Sequence, residues 1–482
     1  MTKKMSAGMK FFSVILGALM GGFMWRCRGD GGWGSSWGLY GVGFVLMLLV
    51  YHFYSNRTGM KFEMIPLGAF FLGLGVTGYA TVLDQLSGLL WSDLPYSGEL
   101  LNGQTPLLIK PEGDVVVSVS PISGGIITFI MAFTLVPFFT LFVASLFSDK
   151  KYRIKDYTVI AVIFFVASLI FKATVAHPIL KAINPDQVQY AALGLKACGY
   201  EYSSPMAAYM SHFLNRDWTQ DIPFFENYYM SIEHISDALA VLTMLSYILF
   251  ARKDKYTAFG SLAMNTFTAI ATTLLTPLVS IRYNLGVWAE ADLPNWIVKI
   301  SDWGVWEFAT GFFFGLVVLL FLAFTADKHT VCTGYDDTPL FQDNKISFVF
   351  NFVSVVFIMC VAPARVIAIR FARMFEKRGV LPDDEPLATI LIIAISVAMG
   401  IFVIKILRKN ILEKCSNAFD MNPVDFAYKA LPAYLVMCFF AYFFLDDVDI
   451  LNIRTDITVP MMLISSALIA IIYIPIRRKL KK

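Results

Sequence analysis

The chain has 482 residues, of which 57% are hydrophobic and only 16% are charged. Average soluble domains carry about 25% charged residues and fewer apolar ones, so this composition excludes a soluble enzyme with a single membrane anchor. It indicates an integral membrane protein, with membrane lipid as an expected partner. The net charge of +3 is too small to indicate nucleic-acid binding, and no nucleic-acid partner is expected.

Apolar runs of about 17 to 25 residues predict about 12 transmembrane helices. They cover residues 10–27, 37–54, 62–83, 122–147, 157–176, 229–250, 257–280, 304–326, 346–372, 387–407, 424–445 and 457–476. The predicted fold class is therefore an all-α polytopic integral membrane protein with a single membrane domain, residues 1–482.

Lysine and arginine concentrate in the segments on one side of these predicted spans. They occur at the N-terminus, around Arg57, at 150–155, at 252–255 and in the tail from Arg477. The positive-inside rule makes this side the cytoplasm and places both termini there. Such Lys-rich inner loops suit a bacterial cytoplasmic (inner) membrane.

Two predicted outer loops are long enough to fold. In the loop 84–121, residues 107–110 and 115–119 read as two strands joined by a four-residue turn, which predicts a small β-hairpin. The loop 177–228 contains four prolines and many aromatic residues. This composition favours short interfacial helices lying over the bundle, either as a structural cap or as a lid.

The segment joining the first two spans combines glycines with arginines and tryptophans. Its glycines let backbone amides turn toward one point, and together with Arg26, Arg28 and Trp33 they predict an anion-binding concavity. The alternative is a tight interfacial turn with a tryptophan belt and a small-residue packing face that includes Gly17 and Gly21. Packing explains the glycines but leaves the two arginines on the outer side unexplained.

A second group of arginines lies at the outer end of the ninth predicted span. Arg365, Arg370 and Arg373 fall within an arc of roughly 140° on a helix and therefore share one face. Arginines this close to an apolar run face a watery cavity, pair with carboxylates or bind anions. The alternative is that they extend toward lipid headgroups.

Acidic residues are predicted at a similar outer depth. Glu233 and Asp237 are four residues apart on the sixth span with His234 between them, and Glu307 lies near the start of the eighth span. If these helices surround one opening, the four residues are candidates for proton coupling or for a general base. Taken singly, each is an ordinary charge at a helix end.

These residues support three functional hypotheses. The first is a transporter for a small anionic or zwitterionic solute with an outward-facing, arginine-lined cavity, which the number of spans favours. The second is a membrane-embedded transferase or hydrolase that acts on a lipid-linked phosphate or sugar at the outer face. The third is a subunit of a membrane complex.

The sequence predicts neither a cofactor nor a metal site. Its six cysteines form no CxxC motif and no Cys/His cluster, and zinc sites normally require one or the other. The sequence leaves the solute, the coupling ion and the oligomeric state open.

Overall fold

The computed structural model describes most of the chain, with gaps. The described residues are 5–30, 36–58, 62–75, 88–92, 107–109, 115–213, 215, 218, 222–282, 288, 291–327, 344–358, 386–387, 389–391, 393–401, 423–445 and 457–480.

Helices dominate the described residues. In chain order they are α1 (Ala7–Asp30), α2 (Ser36–Thr58), α3 (Met64–Gly73), α4 (Pro121–Phe133), α5 (Pro137–Leu146), α6 (Ile154–Thr174), α7 (Ala176–Ile183), α8 (Pro185–Ala197), α9 (Pro205–Ser211), α10 (Phe225–Phe250), α11 (Lys255–Leu275), α12 (Pro277–Arg282), α13 (Asn295–Ile300), α14 (Trp303–Thr325), α15 (Asn344–Val356), α16 (Pro423–Leu445) and α17 (Thr458–Leu480). Residues 393–401 are helical as well. Three strands are described, β1 (Leu89–Ser92), β2 (Leu107–Ile109) and β3 (Val115–Ser118).

Among the described helices, six are long and apolar enough to cross a membrane. They are Ala7–Arg28, Ile154–Thr174, Phe225–Phe250, Lys255–Ile281, Trp303–Thr325 and Thr458–Arg478. The pair α4 and α5 would make a seventh span, bent by 45° at a short break. All seven coincide with predicted spans, and the chain is a helical membrane protein. Twelve spans and cytoplasmic termini stay predictions.

Helix α6 shows which surface meets the hydrocarbon. Phe165 and Ile170 are 55% and 54% exposed, whereas Phe164 and Ser168 on another side of the helix are buried. A soluble protein rarely exposes such a contiguous apolar face. The reversed pattern, apolar outside and polar inside, is what a lipid-facing helix requires.

Helices α1 and α14 form the closest pair in the core. A Cβ atom at Gly21 would lie 2.5 Å from the backbone oxygen of Gly311, and one at Gly315 would lie 2.0 Å from the oxygen of Gly17. Small residues one turn apart let two helix backbones approach this closely. The predicted packing face at Gly17 and Gly21 is confirmed, with its partner on α14.

The three strands form one antiparallel sheet with β3 in the centre. Leu107 pairs with Val117, so β2 and β3 pair in the segment where the sequence predicts a hairpin. Strand β1, which the sequence did not predict, pairs with the other edge of β3, and Leu89 faces Ser118. The hydroxyl group of Tyr190 in α8 donates to the Ser118 carbonyl at 3.0 Å. The two predicted outer loops therefore contact each other.

Short helices α7, α8 and α9 follow α6, as expected for the loop 177–228. Two of them begin at a proline, which lacks an amide hydrogen and fits the first turn, and Asn184 and Ser204 cap these helices. Leu180 and Tyr209 pack on the first half of α10. At Gly194, a Cβ atom would lie 1.9 Å from the Pro223 carbonyl oxygen, so only glycine fits there. The segment is a packed layer and not a free linker.

We expect Gly21→Ala to destabilise the protein, because the added methyl group collides with the Gly311 backbone, which cannot move alone. Overpacking of this kind costs about 1–3 kcal/mol, and the thermal midpoint in detergent should fall. The matched control is Gly8→Ala in the same helix, where nothing lies within 4 Å of the added Cβ. Equal midpoints for the two variants would contradict the close packing of α1 and α14.

Candidate functional site

The described residues include six of the ten predicted site residues. They are Arg26, Arg28, Glu233, His234, Asp237 and Glu307. Trp33, Arg365, Arg370 and Arg373 lie outside the described residues.

Arg26 forms a buried ion pair with Glu307. Its Nη1 lies 2.8 Å from Glu307 Oε2, and Arg26 is only 6% exposed. The guanidinium packs on Gly304, where a Cβ atom would lie 2.5 Å from Arg26 Nε. A buried charge needs such a partner because the membrane interior does not hydrate it. Arg26 therefore serves to join α1 to α14 as well as carrying positive charge.

A second ion pair closes the opposite end of these two helices. Lys10 Nζ lies 2.5 Å from Asp327 Oδ2. Arg28, two residues beyond Arg26, places its guanidinium carbon 5.4 Å from the centre of the Trp25 ring, within the range of a cation–π contact. Trp25 is buried against Phe314, so this tryptophan belongs to the core and not to the interfacial belt.

Glu233 lies in a separate charged group between α6, α9 and α10. Its two carboxylate oxygens accept hydrogen bonds from Lys172 Nζ and from the Tyr209 hydroxyl. Burial and the neighbouring Glu233 carboxylate raise the pKa of the Tyr209 phenol well above its ordinary value, so the phenol stays protonated and remains a donor. The ion pair is partly accessible, with side-chain exposures of 13% for Lys172 and 22% for Glu233.

Asp237 lies one turn further along α10 and faces the same helix. Its Oδ1 accepts a hydrogen bond from Ser168 Oγ at 2.6 Å. Ser168 and Lys172 are one turn apart on α6, and Asp237 and Glu233 are one turn apart on α10. Because the two helices are antiparallel, Ser168 lies opposite Asp237 and Lys172 lies opposite Glu233. The shared face predicted for the two acids is therefore the face that contacts α6.

His234 faces a different way from its two acidic neighbours. It is 1% exposed, and its Nδ1 lies 3.0 Å from the hydroxyl oxygen of Thr134. Thr134 also donates to the Met131 carbonyl at 2.8 Å. This threonine follows the last residue of α4, so α10 connects the charged group on one side with the end of α4 on the other.

The predicted span 122–147 is not one continuous helix. Helix α4 ends at Phe133, α5 begins at Pro137, and their axes differ by 45°. Proline lacks an amide hydrogen and its ring clashes with the preceding turn, which explains why the helix stops here. The sequence prediction therefore needs correction, because it treated Pro137 as an ordinary residue within a span.

Three polar side chains meet just after this break. Thr140 Oγ1 lies 2.8 Å from Asn265 Oδ1 and 3.0 Å from Ser261 Oγ, and all three residues are fully buried. Asn265 Nδ2 has no hydrogen-bond partner among the described residues. Because the two amide atoms of asparagine can be exchanged by a flip, either orientation leaves one of them without a partner.

A row of buried polar residues continues from this cluster along α11. Its members recur every three or four residues on the face that packs against α4, α5 and α14. They are Thr257, Ser261, Asn265, Thr268, Thr272 and Thr276, each 0% exposed. The hydroxyl groups of Thr268 and Thr272 have no hydrogen-bond partner in the described parts of the chain. Leaving polar groups buried in this way costs free energy, so the row calls for an explanation beyond packing.

The row ends at a carboxylate that caps α11. Asp254 is 1% exposed and accepts hydrogen bonds from Ser148 Oγ at 2.6 Å, Tyr152 Oη at 2.7 Å and the Thr257 hydroxyl at 2.6 Å. Because these hydrogen bonds satisfy its carboxylate, Asp254 has a structural role in capping this end of α11.

No known protein family, curated protein or solved structure matches this chain. Within the described ranges, no group of three His, Cys, Asp or Glu side chains is placed to hold a metal ion. Three structural features bear on function: the broken span, the polar row on α11 and the charged group at Glu233.

We expect Arg26→Gln and Glu307→Gln each to lower the free energy of unfolding by about 3–5 kcal/mol, because each leaves one charge buried without its partner. The double variant should lose at least about 1 kcal/mol less than the sum of the two single losses. Denaturation of the four proteins in one detergent measures this coupling. Strictly additive losses would show that the two side chains act independently.

Proposed function

We propose that this protein is a multi-pass transporter for a small anionic or zwitterionic solute, with twelve spans and both termini in the cytoplasm of a bacterial cell. The solute binds at the break between α4 and α5. The observation that carries this proposal is the interruption of a predicted span beside buried polar atoms that have no hydrogen-bond partner among the described residues, Asn265 Nδ2 above all.

A break within a span costs free energy, because backbone polar groups at the break lose their helical hydrogen bonds. Irregular backbone at membrane depth is tolerated only where protein buries it or where it lines a water-filled cavity. Discontinuous helices of transporters use such breaks to present helix ends and backbone carbonyls to solutes and ions. Thr134, Thr140 and Asn265 surround this break. They supply hydrogen-bonding groups that a closed apolar bundle would not need.

The charged group at Glu233 suits a solute that carries a negative charge, or charges of both signs. The Lys172 ammonium can pair with a solute carboxylate, and the Glu233 carboxylate with a solute ammonium group. In the structure the two charges form an ion pair with each other. His234, next to Glu233 in α10, contacts Thr134 at the break, so α10 borders both regions.

Proton coupling is proposed for the acids of α10. Glu233 and Asp237 each change their hydrogen bonding when protonated, because a protonated carboxyl group loses its attraction for Lys172 and gains a donor. Glu307 is a weaker candidate because its carboxylate is already engaged in the buried ion pair with Arg26. The arginines at 365, 370 and 373 and Trp33 keep their proposed role in attracting an anion to the outer side.

The enzyme hypothesis also has an observation in its favour. The Lys172 and Glu233 pair lies beside the lipid-facing surface of α6, under the short helix α9 whose Tyr209 completes the group. A lipid-linked phosphate could reach this position sideways from the membrane, with Lys172 binding phosphate and Glu233 acting as a general base. This alternative uses the charged group but gives the broken span no role.

Ligand-induced stabilisation separates the two functions. Purified protein is heated alone, with a panel of soluble anions and amino-acid-like zwitterions, and with polyprenyl phosphates. A ligand at 100 times its Kd stabilises the native state by about 2.7 kcal/mol. We expect a soluble solute to raise the thermal midpoint of the wild type and of the control Thr243→Val. The same solute should have no effect on Asn265→Leu.

Thr243 is a suitable control because it lies on α10 and its hydroxyl donates to the Leu239 carbonyl of its own helix, its one partner among the described residues. Stabilisation by polyprenyl phosphate alone, unaffected by Asn265→Leu, would contradict transport and support the enzyme. A soluble solute that stabilises Asn265→Leu as much as the wild type would remove the break from the binding site.

We expect Glu233→Gln to separate exchange from proton-driven uptake. In liposomes, an imposed pH gradient should drive solute uptake by the wild type but not by the variant, because glutamine cannot release a proton. Exchange of external for internal labelled anionic solute needs neither net proton movement nor pairing with Glu233 and should persist. Uptake by Glu233→Gln that still follows the pH gradient would exclude Glu233 as the coupling acid, and Asp237→Asn would then be tested in the same way.

A further inference from the structure

An apolar groove opens between α1, α16 and α17, away from the proposed transport site. It has a volume of about 310 Å³, and its walls include Phe23, Leu435, Val436 and Ile469. Along α17 it extends from Ser466 to Ile474, which is about 12 Å at 1.5 Å per residue. A groove of this shape in a membrane-spanning bundle fits a linear hydrocarbon chain.

Two polar side chains line the groove, and one of them, Ser466, donates its hydroxyl to the Met462 carbonyl at 2.8 Å. Tyr473 is 4% exposed, and its hydroxyl has no hydrogen-bond partner among the described residues. The ring of His52 lies 5.6 Å from the ring of Tyr473. A buried phenol without a partner in an apolar groove is costly. An occupant with a hydrogen-bond acceptor near this position would remove that cost.

Positive charge marks the end of the groove nearest Tyr473. Arg477 follows Tyr473 by one turn and therefore lies on the same face of α17. Its guanidinium carbon is 3.9 Å from the centre of the Tyr428 ring, and no described carboxylate forms an ion pair with it. Lys429, on the adjoining part of α16, is exposed. An arginine stacked on an aromatic ring keeps its N–H donors aimed outward, in a geometry that suits a phosphate group.

We propose that this groove binds one anionic glycerophospholipid from the surrounding membrane. The acyl chain occupies the apolar walls, an ester or phosphate oxygen accepts from Tyr473, and the phosphate group pairs with Arg477. The apolar length and the single charged end together select a lipid over a soluble phosphate or an uncharged chain. The site is independent of the transport proposal, because it shares no residue with the broken span or the Glu233 group.

The test uses the full-length protein in detergent and compares phosphatidylglycerol with phosphatidylcholine of identical acyl chains. Binding of each lipid is measured by native mass spectrometry at several concentrations. For the wild type we expect tighter binding of phosphatidylglycerol. Arg477→Gln should weaken phosphatidylglycerol binding by roughly tenfold to a hundredfold, as expected for loss of a charge-assisted contact of about 1.5–3 kcal/mol, and leave phosphatidylcholine binding almost unchanged.

One variant tests the groove itself, and one serves as the control for Arg477→Gln. Ala470 lines the groove and is exposed to it, so Ala470→Phe should fill the space without disturbing the core and weaken binding of both lipids. The matched control, Arg478→Gln, removes the adjacent exposed arginine and should behave as the wild type.

Equal binding of the two lipids by the wild type would overturn the proposal, as would unchanged phosphatidylglycerol binding by Arg477→Gln. Inorganic phosphate at millimolar concentration serves as a soluble competitor. Complete displacement of the lipid by phosphate would show that the apolar groove adds nothing, and would also overturn it.

Discussion

Hydrocarbon does not hydrate polar groups, and this constraint shapes the described parts of the protein. Each buried charge must find its partner inside the bundle, as Arg26 does with Glu307. Partners must come close to do so, and the glycines of α1 and α14 allow two helix backbones to approach within the required distance. Packing and electrostatics therefore depend on the same pair of helices, which is closed by an ion pair near each end.

The same constraint draws attention to buried polar groups whose hydrogen bonds are not satisfied. Around the Pro137 break and along α11, hydroxyl and amide groups are buried without enough partners among the described residues. Natural cores leave few such groups, and each one requires an explanation. A solute or water that passes along this row would supply the missing hydrogen bonds. The polar row and the broken span are thus parts of one proposed route.

Hydropathy predicted the positions of the described helices well, because a run of about 20 apolar residues is the length that a helix needs to cross the hydrocarbon core. The four-residue spacing of Glu233 and Asp237 also placed the two acids of α10 on one face. The sequence pattern does not predict the hydrogen-bond partners of these acids. No sequence motif marks Ser168 or Tyr209. They become hydrogen-bond donors to Asp237 and Glu233 because α6 packs antiparallel to α10 and α9 lies over both.

Two other features were missed for different physical reasons. Pro137 lies in an apolar run whose hydropathy alone gives no sign of a break. Strand β1 is only four residues long, and its pairing with β3 identifies it. Asn265 was visible as a polar residue within a span, yet its place beside the break requires the contact between α5 and α11.

The central claim is that water and solute reach the break between α4 and α5. The most direct measurement is labelling of Leu135→Cys, in protein whose native cysteines have been replaced, with a membrane-impermeant maleimide in intact vesicles. The proposal predicts labelling at Leu135, slowed by the transported solute, while Val318→Cys in the core between α1 and α14 stays unlabelled. An unlabelled Leu135→Cys, from either side of the membrane, would contradict it.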